Sequence, residues 1–185
     1  ANADAILIGP GMSESEETEK LLADIFNLED KKIVADATAL WMLGNTNLQS
    51  EICNLKSKII LTPHTREFEH LFLCAPTADN ALAMAMKYNC IIVLKGHIDY
   101  ISGGETLYEN HTGNVGMTKG GTGDVLAGLI GGLATQNDAL TAALAGTYLN
   151  GLAGDRLYKK CGTFYNAEDV VGELAMIWGD LTAKM

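Results

Sequence analysis

The chain has 185 residues and a formal net charge of −10, with 48% hydrophobic and 19% charged residues. This length fits a single domain, spanning residues 1–185, and the composition is that of a globular protein with a real hydrophobic core. The acidic charge argues against nucleic acid or an anionic membrane as a partner, because both require a basic surface, and the charge-free runs are too short or too polar to span a bilayer.

Short apolar runs alternate with helical patterns in the first half of the chain. Runs of this length are typical of buried parallel strands, and strands are predicted at residues 5–8, 32–36 and 59–61. Ser13 and Glu16 have the spacing of a capping box, which predicts that the first helix begins there. Further helices are predicted at residues 38–43, 66–73 and 77–88, with a polar connector from Asn45 to Gln49.

The second half predicts a fourth strand, a hairpin and three helices. The strand covers Cys90 to Leu94, and the hairpin turns at Gly103-Gly104 within residues 98–109. Helical patterns follow from residue 125, from 139 to 158 and from 167 to 184. Strands that alternate with helices predict an α/β fold, here a three-layer, doubly wound, mostly parallel sheet with helices on both faces.

A glycine-rich stretch from Gly113 to Gly128 dominates the second half. Glycine permits a positive φ and a close approach of the backbone to a ligand, because it has no Cβ. A helix that starts in such a turn points free N–H groups and the positive end of its dipole at an anion. We therefore predict a phosphate-binding anion hole formed by Gly121, Thr122 and Gly123.

Asp124 lies at the lip of this turn, where a carboxylate would repel a bare phosphate. Its position is explained if it removes a proton beside a transferable phosphoryl group, as a general base. The alternative is a tight connection in which Asp124 satisfies N–H groups at a helix start. The stretch lacks the Gly-Lys-Ser/Thr of a Walker P-loop, and it does not follow the first strand as a Rossmann fingerprint does.

Polar or glycine-rich clusters follow each predicted parallel strand. They are Gly9-Pro10-Gly11, Asp36, Thr62-Pro63-His64 and Lys95-Gly96, and the glycine turn with Asp124 makes a fifth. Ligands of parallel sheets bind beyond the carboxyl ends of the strands, so these clusters predict one site. Lys95 would hold phosphate as a point charge, although a surface lysine is the alternative. His64 is either a ligand-binding residue or a structural histidine.

These motifs, in this order, resemble those of the ADP/ATP-dependent NAD(P)H-hydrate dehydratases, which have the ribokinase-like fold. The matching segments are Gly9–Gly11, Asp36–Leu40, Thr62–Glu67, Leu94–Gly96 and Gly113–Gly128. The resemblance runs from the first strand to about Gly132 and more loosely through the terminal helices. It implies a lyase that phosphorylates the C6 hydroxyl of hydrated NADH or NADPH with ADP or ATP and then eliminates phosphate.

The resemblance also implies roles for individual residues. It assigns nucleotide contacts to Lys95, Gly96, His97, Ile98, Asp99 and Gly123. It assigns contacts with the hydrated dinucleotide to Gly11, His64 and Asp124, with Asp124 as the catalytic base. Asp36, Glu67 and Asn114 could orient Mg²⁺ through water, while the nucleotide phosphates hold the ion, since Mg²⁺ takes few protein ligands.

The chain departs from the family pattern at positions that bear on these contacts. Thr38, Arg66 and Val115 stand where the family usually has Asp, Gly and Pro. Thr118-Lys119 replaces Ala-Thr, and Lys95 to Asp99 reads Lys-Gly-His-Ile-Asp rather than Lys-Gly-Ala-x-Thr. Family members carry further βα structure before the first strand, so we expect a C-terminal fragment of a longer domain. Such a fragment should associate with that segment or form a homo-oligomer.

Two other functions share parts of the pattern. A hydroxymethylpyrimidine or hydroxyethylthiazole kinase of the same fold would use the same glycine turn and acid but release the phosphorylated product. A nucleotide-binding module without turnover would keep only the anion hole. We expect a cytoplasmic enzyme, because the four cysteines show no zinc-site spacing and no signal peptide is evident.

Overall fold

The structure is a computed structural model that describes residues 3–45 and 58–183. Cys53 and the part of the predicted connector beyond Asn45 lie outside the described residues. Within the described ranges, no helix combines the length and the apolarity needed to cross a bilayer.

The described strands form one mixed sheet in sequential order, which confirms the α/β, mostly parallel prediction. The strands are β1 (Ala5–Ile8), β2 (Lys32–Ala35), β3 (Lys58–Leu61), β4 (Ile91–Leu94), β5 (Asp99–Ser102) and β6 (Leu107–Asn110). The first four run parallel, and β5 and β6 continue the sheet as an antiparallel hairpin. The predicted hairpin is therefore confirmed, although its second strand ends at Asn110, one residue beyond the predicted range.

Helices cover both faces of this sheet. They are α1 (Glu16–Phe26), α2 (Thr38–Asn45), α3 (Thr65–Phe72), α4 (Ala78–Tyr88), α5 (Thr122–Ala134), α6 (Ala139–Cys161) and α7 (Ala167–Thr182). A 3₁₀ turn at Val115–Met117 precedes α5.

The side chains of each strand alternate between two cores, as the pleat requires. Ile33 and Ile92 pack in the core shared with α1 to α4, whereas Val34 and Val93 pack in the core shared with α5 and α6. Right-handed crossovers between sequential parallel strands place the connecting helices on one face. The helices that follow the glycine turn cover the other face, and this arrangement gives the three predicted layers.

The start of α1 differs from the prediction. Ser15, not Ser13, is the N-cap, and its side chain accepts the N–H of Thr18 at 3.2 Å. The carbonyl of Ser13 instead accepts the hydroxyl of Thr18 at 2.8 Å. Starting at Ser15 places Glu16, Glu17 and Glu19 in the first turn, where acids are favoured by the helix dipole.

Candidate functional site

A cavity of 770 Å³ lies beyond the ends of β3 and β4, between the start of α5 and one side of α6. This volume is within the range of small-molecule sites. Several of the predicted site residues line it: His64, Lys95, Gly96, His97, Asp99, Asn114, Thr122 and Gly123. The ends of β3 and β4 and the glycine turn therefore meet at this cavity, whereas Gly9–Gly11, Asp36 and Asp124 of the five predicted clusters are not among its lining residues.

The ends of β2 and β4 are joined by an ion pair. Nζ of Lys95 lies 2.8 Å from Oδ1 of Asp36, whose side chain is 3% exposed. A Cβ added to Gly123 would lie 3.4 Å from Nζ of Lys95 and 3.8 Å from Oδ2 of Asp36. The backbone of α5 thus begins directly over the pair, and glycine leaves room there for a ligand.

His64 caps helix α3 and faces the cavity at the same time. Its Nδ1 accepts the N–H groups of Arg66 at 3.1 Å and Glu67 at 3.2 Å, and Oε2 of Glu67 accepts the N–H of His64 at 2.8 Å. In the neutral ring the proton therefore resides on Nε2, which becomes a hydrogen-bond donor. The structural and ligand-binding alternatives for His64 are compatible in this geometry.

Glu67 is buried beneath this cap. Burial raises the pKa of its carboxyl above the ordinary value, against the hydrogen bond from His64 and the attraction of Lys95, which act in the opposite direction. Its carboxylate is committed to the capping box, so Glu67 supports the cavity wall through His64.

The N-terminus of α5 presents unpaired backbone donors. Gly121 is its N-cap with φ 91°, and no side chain caps the helix there. The first N–H to bond back is that of Val125, to the carbonyl of Gly121 at 3.0 Å. The N–H groups of Thr122 and Gly123 precede it and have no partner within the helix. Both residues line the cavity, and the anion hole at this position stays a prediction.

The side chain of Thr122 forms hydrogen bonds within the glycine turn and does not face a ligand. Its Oγ1 donates toward the carbonyls of Met117 at 2.7 Å and Lys119 at 2.9 Å. Thr122 therefore offers the cavity its backbone N–H. The side chain of Lys119 bonds the carbonyls of Thr163 and Tyr165, which ties the glycine turn to the segment before α7.

Asp124 lies in the first turn of α5 and is exposed. It is one residue beyond Gly123 but is not among the residues that line the cavity. Its carboxylate has no hydrogen bond or ion pair to another described residue. The structure therefore places Asp124 one residue beyond Gly123, exposed and outside the cavity wall, without contact to the other described site residues.

Five other predicted residues also lie outside the cavity wall, namely Gly11, Asp36, Glu67, Ile98 and Gly121. Gly9 and Gly11 have φ of 117° and 72°, which favours glycine, and their turn packs on the end of β2. A Cβ on Gly9 would lie 1.8 Å from the carbonyl oxygen of Asp36. The Gly-Pro-Gly turn thus allows the chain to approach Asp36 closely.

Asp99 closes the turn after Lys95. Its Oδ1 accepts the N–H of Gly96 at 3.0 Å, and its Oδ2 accepts an amide N–H of Asn110 at 3.0 Å. Burial raises the pKa of Asp99, although both hydrogen bonds act to lower it. The side chain thereby shapes the loop that carries Gly96 and His97 along the cavity.

Asn114 is the centre of a network that the sequence analysis did not identify. Its amide donates to Oδ1 of Asp155 at 3.1 Å, and its oxygen accepts the hydroxyl of Tyr165 at 2.8 Å and the N–H of Gly116 at 2.9 Å. Asp155 also accepts the N–H of Gly113 at 3.1 Å. The side chain of Asn114 is therefore engaged in holding the loop before α5.

A polar and small-residue stripe on α6 forms the far wall and was also missed. Thr147, Asn150 and Gly151 line the cavity, and Gly154 and Asp155 continue the stripe toward the glycine loop. Their spacing of three and four residues places them on one helix face. That spacing is visible in the sequence, but it does not by itself distinguish a cavity wall from a face packed against another helix.

The carboxylates near the cavity suit an indirect role toward a metal. Asp36 is paired with Lys95, and Glu67 caps His64. Within residues 3–45 and 58–183, no group of three or more His, Cys, Asp and Glu side chains has the arrangement of a metal site. These residues fit Mg²⁺ that arrives on nucleotide phosphates and keeps most of its waters, which Asp36 could orient.

Comparison with known proteins identifies the family. Residues 1–175 match the family model described as NAD(P)H-hydrate dehydratase. The chain is 37% identical over 171 residues to the bifunctional NAD(P)H-hydrate repair enzyme of Methanocaldococcus jannaschii, covering 92% of this chain and 32% of that protein. It is 36% identical over 168 residues to the ADP-dependent (S)-NAD(P)H-hydrate dehydratase of Xanthomonas campestris pv. campestris, covering 86% and 56%.

Comparison with solved structures shows the same fold in a protein of known structure. The ADP/ATP-dependent NAD(P)H-hydrate dehydratase of Bacillus subtilis, co-crystallised with ATP and Mg²⁺, superposes with a TM-score of 0.83 at 28% identity. The match covers 96% of this chain and 64% of that one. The chain therefore spans from about a third to under two thirds of the lengths of these relatives.

Proposed function

The chain belongs to the NAD(P)H-hydrate dehydratase family, and from that membership we propose that it carries the phosphoryl-transfer site of a repair enzyme for hydrated NADH and NADPH. The co-substrate is ADP or ATP with Mg²⁺, because the X. campestris relative is ADP-dependent and the ADP/ATP-dependent B. subtilis relative was co-crystallised with ATP and Mg²⁺. One observation carries the proposal: the uncapped N-terminus of α5 opens over the Lys95–Asp36 pair in a cavity large enough for a nucleotide.

The phosphate end of the nucleotide lies at this N-terminus. The N–H groups of Thr122 and Gly123 bind the terminal phosphoryl, and the charge that develops on it during transfer is stabilised by these fixed dipoles. Lys95 contributes a positive charge that Asp36 holds in place. Mg²⁺ neutralises phosphate charge when bound, and the chain contributes to it through water near Asp36.

Asp124 is the general base. It takes the proton of the C6 hydroxyl as the hydroxyl oxygen attacks the terminal phosphorus and the shortened nucleotide leaves. The ring nitrogen then assists departure of phosphate from C6, and loss of the adjacent ring proton restores the double bond of the reduced nicotinamide. We assign contacts with the dinucleotide to His64, which lines the cavity and whose Nε2 lies 3.5 Å from Oε1 of Glu67, and to the Gly11 turn.

We also propose that the open edge of β1 pairs with further structure, either additional chain or a second copy. The support is that β1 is the edge strand of the described sheet and that Leu7 on it is 40% exposed. Unpaired strand edges are pairing sites unless they are covered.

The test is recovery of the reduced-nicotinamide absorbance when hydrated NADPH and ADP or ATP are mixed with the chain joined to the segment that family members carry before the first strand. We expect nucleotide-dependent recovery, with one phosphate released for each NADPH formed. Accumulation of a phosphorylated product without recovered absorbance would instead identify a kinase. Protection by nucleotide against heat without any turnover would identify a binding module.

A further inference from the structure

The chain from Thr163 to Ala167, which leads from α6 into α7, contacts the glycine turn before α5. We call it the brace segment. Tyr165 in its middle is 4% exposed, whereas the neighbouring Phe164 is 91% exposed. The glycine turn lines the cavity, and none of the described residues 163–167 does. Any effect of the brace segment on a ligand is therefore transmitted through the turn.

Lys119 connects the turn to the brace segment. Its ammonium donates to the carbonyls of Thr163 and, at 2.7 Å, Tyr165, and lies 5.0 Å from the centre of the Tyr165 ring. Lys119 stands where the dehydratase family usually has threonine, whose hydroxyl has a single hydrogen to donate. The double contact with the brace segment is therefore a property of this chain.

Further contacts hold the loop on either side of Lys119. The hydroxyl of Tyr165 donates to Oδ1 of Asn114 at 2.8 Å. Its ring packs so closely that a Cβ added to Gly116 would lie 2.7 Å from the hydroxyl oxygen. At the N-cap of α5, a Cβ added to Gly121 would lie 3.0 Å from Cβ of Ala167. The brace segment thus contacts the loop along its whole length.

We propose that Lys119 and Tyr165 are positioning residues, which align the N–H groups of Thr122 and Gly123 with the terminal phosphate of the nucleotide. The inference rests on the proposed function, in which the phosphates bind at the start of α5. A glycine-rich turn has many accessible conformations, and Gly121 adopts a φ of 91°. Contacts that select one conformation in advance remove the cost of ordering the donors when phosphate binds.

The experiment measures binding of Mg-ADP, Mg-pyrophosphate and adenosine to the chain joined to the segment that family members carry before the first strand. Lys119→Met should weaken binding of ADP and pyrophosphate by about tenfold, the loss expected when one donor to a charged oxygen is misaligned. Adenosine affinity should not change, because adenosine carries no phosphate. Lys119→Arg should retain most of the wild-type affinity, since a guanidinium can also donate to two carbonyls.

Tyr165→Phe separates positioning from a direct contact between the lysine and phosphate. The variant keeps the ring and every charge but loses the hydrogen bond to Asn114. ADP and pyrophosphate should therefore bind several-fold more weakly, again with adenosine unchanged. If Tyr165→Phe binds both as the wild type does and Lys119→Met alone loses affinity, the lysine acts through its charge and the inference is overturned.

Phe164→Ala and Lys159→Met are the matched controls. Phe164 is exposed within the brace segment, and Lys159 is an exposed lysine in the last turn of α6. Both variants should keep the wild-type affinities. A parallel loss of adenosine and ADP affinity in Lys119→Met, with a lower melting temperature, would indicate general loss of structure and overturn the positioning role.

The wild-type measurement distinguishes the inference from the proposal beneath it. If the wild type binds neither ADP nor pyrophosphate, the inference and the nucleotide site of the proposed function fail together. If the wild type binds both ligands and Lys119→Met and Tyr165→Phe bind them equally well, the inference alone fails.

Discussion

Nζ of Lys95 lies 2.8 Å from Oδ1 of Asp36, so the residues that directly follow β4 and β2 are joined under the first turn of α5. Asp36 is 2% exposed, and its carboxylate depends on this lysine for a charged partner. Lys95 keeps further N–H donors for a ligand, because an ammonium has three. The pair therefore stabilises the carboxyl ends of β2 and β4. It also fixes the positive charge that Lys95 offers to a phosphate.

Replacing Lys95 with Met should destabilise the chain by about 3 kcal/mol, because it leaves the buried Asp36 carboxylate uncompensated. The double variant Asp36→Asn, Lys95→Met should recover part of that loss, since no buried charge remains. Urea denaturation of the single and double variants measures both values. Equal stability of Lys95→Met and the wild type would show that Asp36 does not depend on the pair.

Gly123→Ala should weaken ADP binding without lowering the stability of the fold. The added methyl would touch Nζ of Lys95 at 3.4 Å and occupy the space above the ion pair. We expect at least about tenfold weaker ADP binding, because one lost ligand contact of this kind costs over 1 kcal/mol. Stability should be unchanged or higher, since alanine favours helix.

The matched control is Gly128→Ala in the same helix, where an added Cβ meets nothing within 4 Å. Calorimetry and thermal unfolding of both variants make the comparison. Undiminished ADP affinity in Gly123→Ala would place the nucleotide elsewhere.

Asp124→Asn should lower turnover by roughly 10²–10⁴-fold, the usual contribution of a general base. Binding of ADP and NADPH should persist, because the carboxylate has no contact that holds the cavity. The measurement is the absorbance assay together with calorimetry. Glu16→Gln, an exposed acid in the first turn of α1, controls for loss of a helix-start charge. Wild-type turnover in Asp124→Asn would exclude it as the base.

Asp155→Asn should weaken nucleotide binding although the residue lies outside the cavity wall. The change removes one of two acceptors that hold Gly113 and Asn114, each at 3.1 Å. We expect a stability loss of about 1–2 kcal/mol and a several-fold lower affinity for ADP. Asp180→Asn breaks only an exposed pair with Arg156, so it should change neither quantity much. Equal changes in stability and in ADP affinity for Asp155→Asn and Asp180→Asn would contradict a positioning role for Asp155.

Glu67→Gln should change how stability depends on pH. Burial raises the pKa of Glu67 in the folded chain, so its contribution to stability is complete below the ordinary value of about 4.3 and is lost as pH rises through the raised value. Glutamine can keep the cap but does not ionise. The variant should therefore gain stability relative to the wild type as pH increases over this range.

Melting temperatures of both proteins between pH 4 and 8 test this, with the exposed Glu69→Gln on the same helix as control. A stability difference between Glu67→Gln and the wild type that does not change with pH would contradict the raised pKa.

Local sequence patterns were sufficient to predict the helices and strands. They also predicted that the carboxyl ends of the parallel strands lie at one edge of the sheet. The apolar runs at β1 to β4 and the glycine turn before α5 each reflect nearest-neighbour preferences, and parallel pairing brings their ends together. That is why Lys95, Gly123 and His64 could be expected in one cavity.

The sequence by itself determined the α/β order, the glycine turn and the family motifs, because these depend on residues close together along the chain. The tertiary structure alone decided the pairing of Asp36 with Lys95 and of Asn114 with Asp155 and Tyr165. It also decided which face of α6 lines the cavity. Such contacts join residues 41 to 59 positions apart, so only the packing of helices against the sheet selects them.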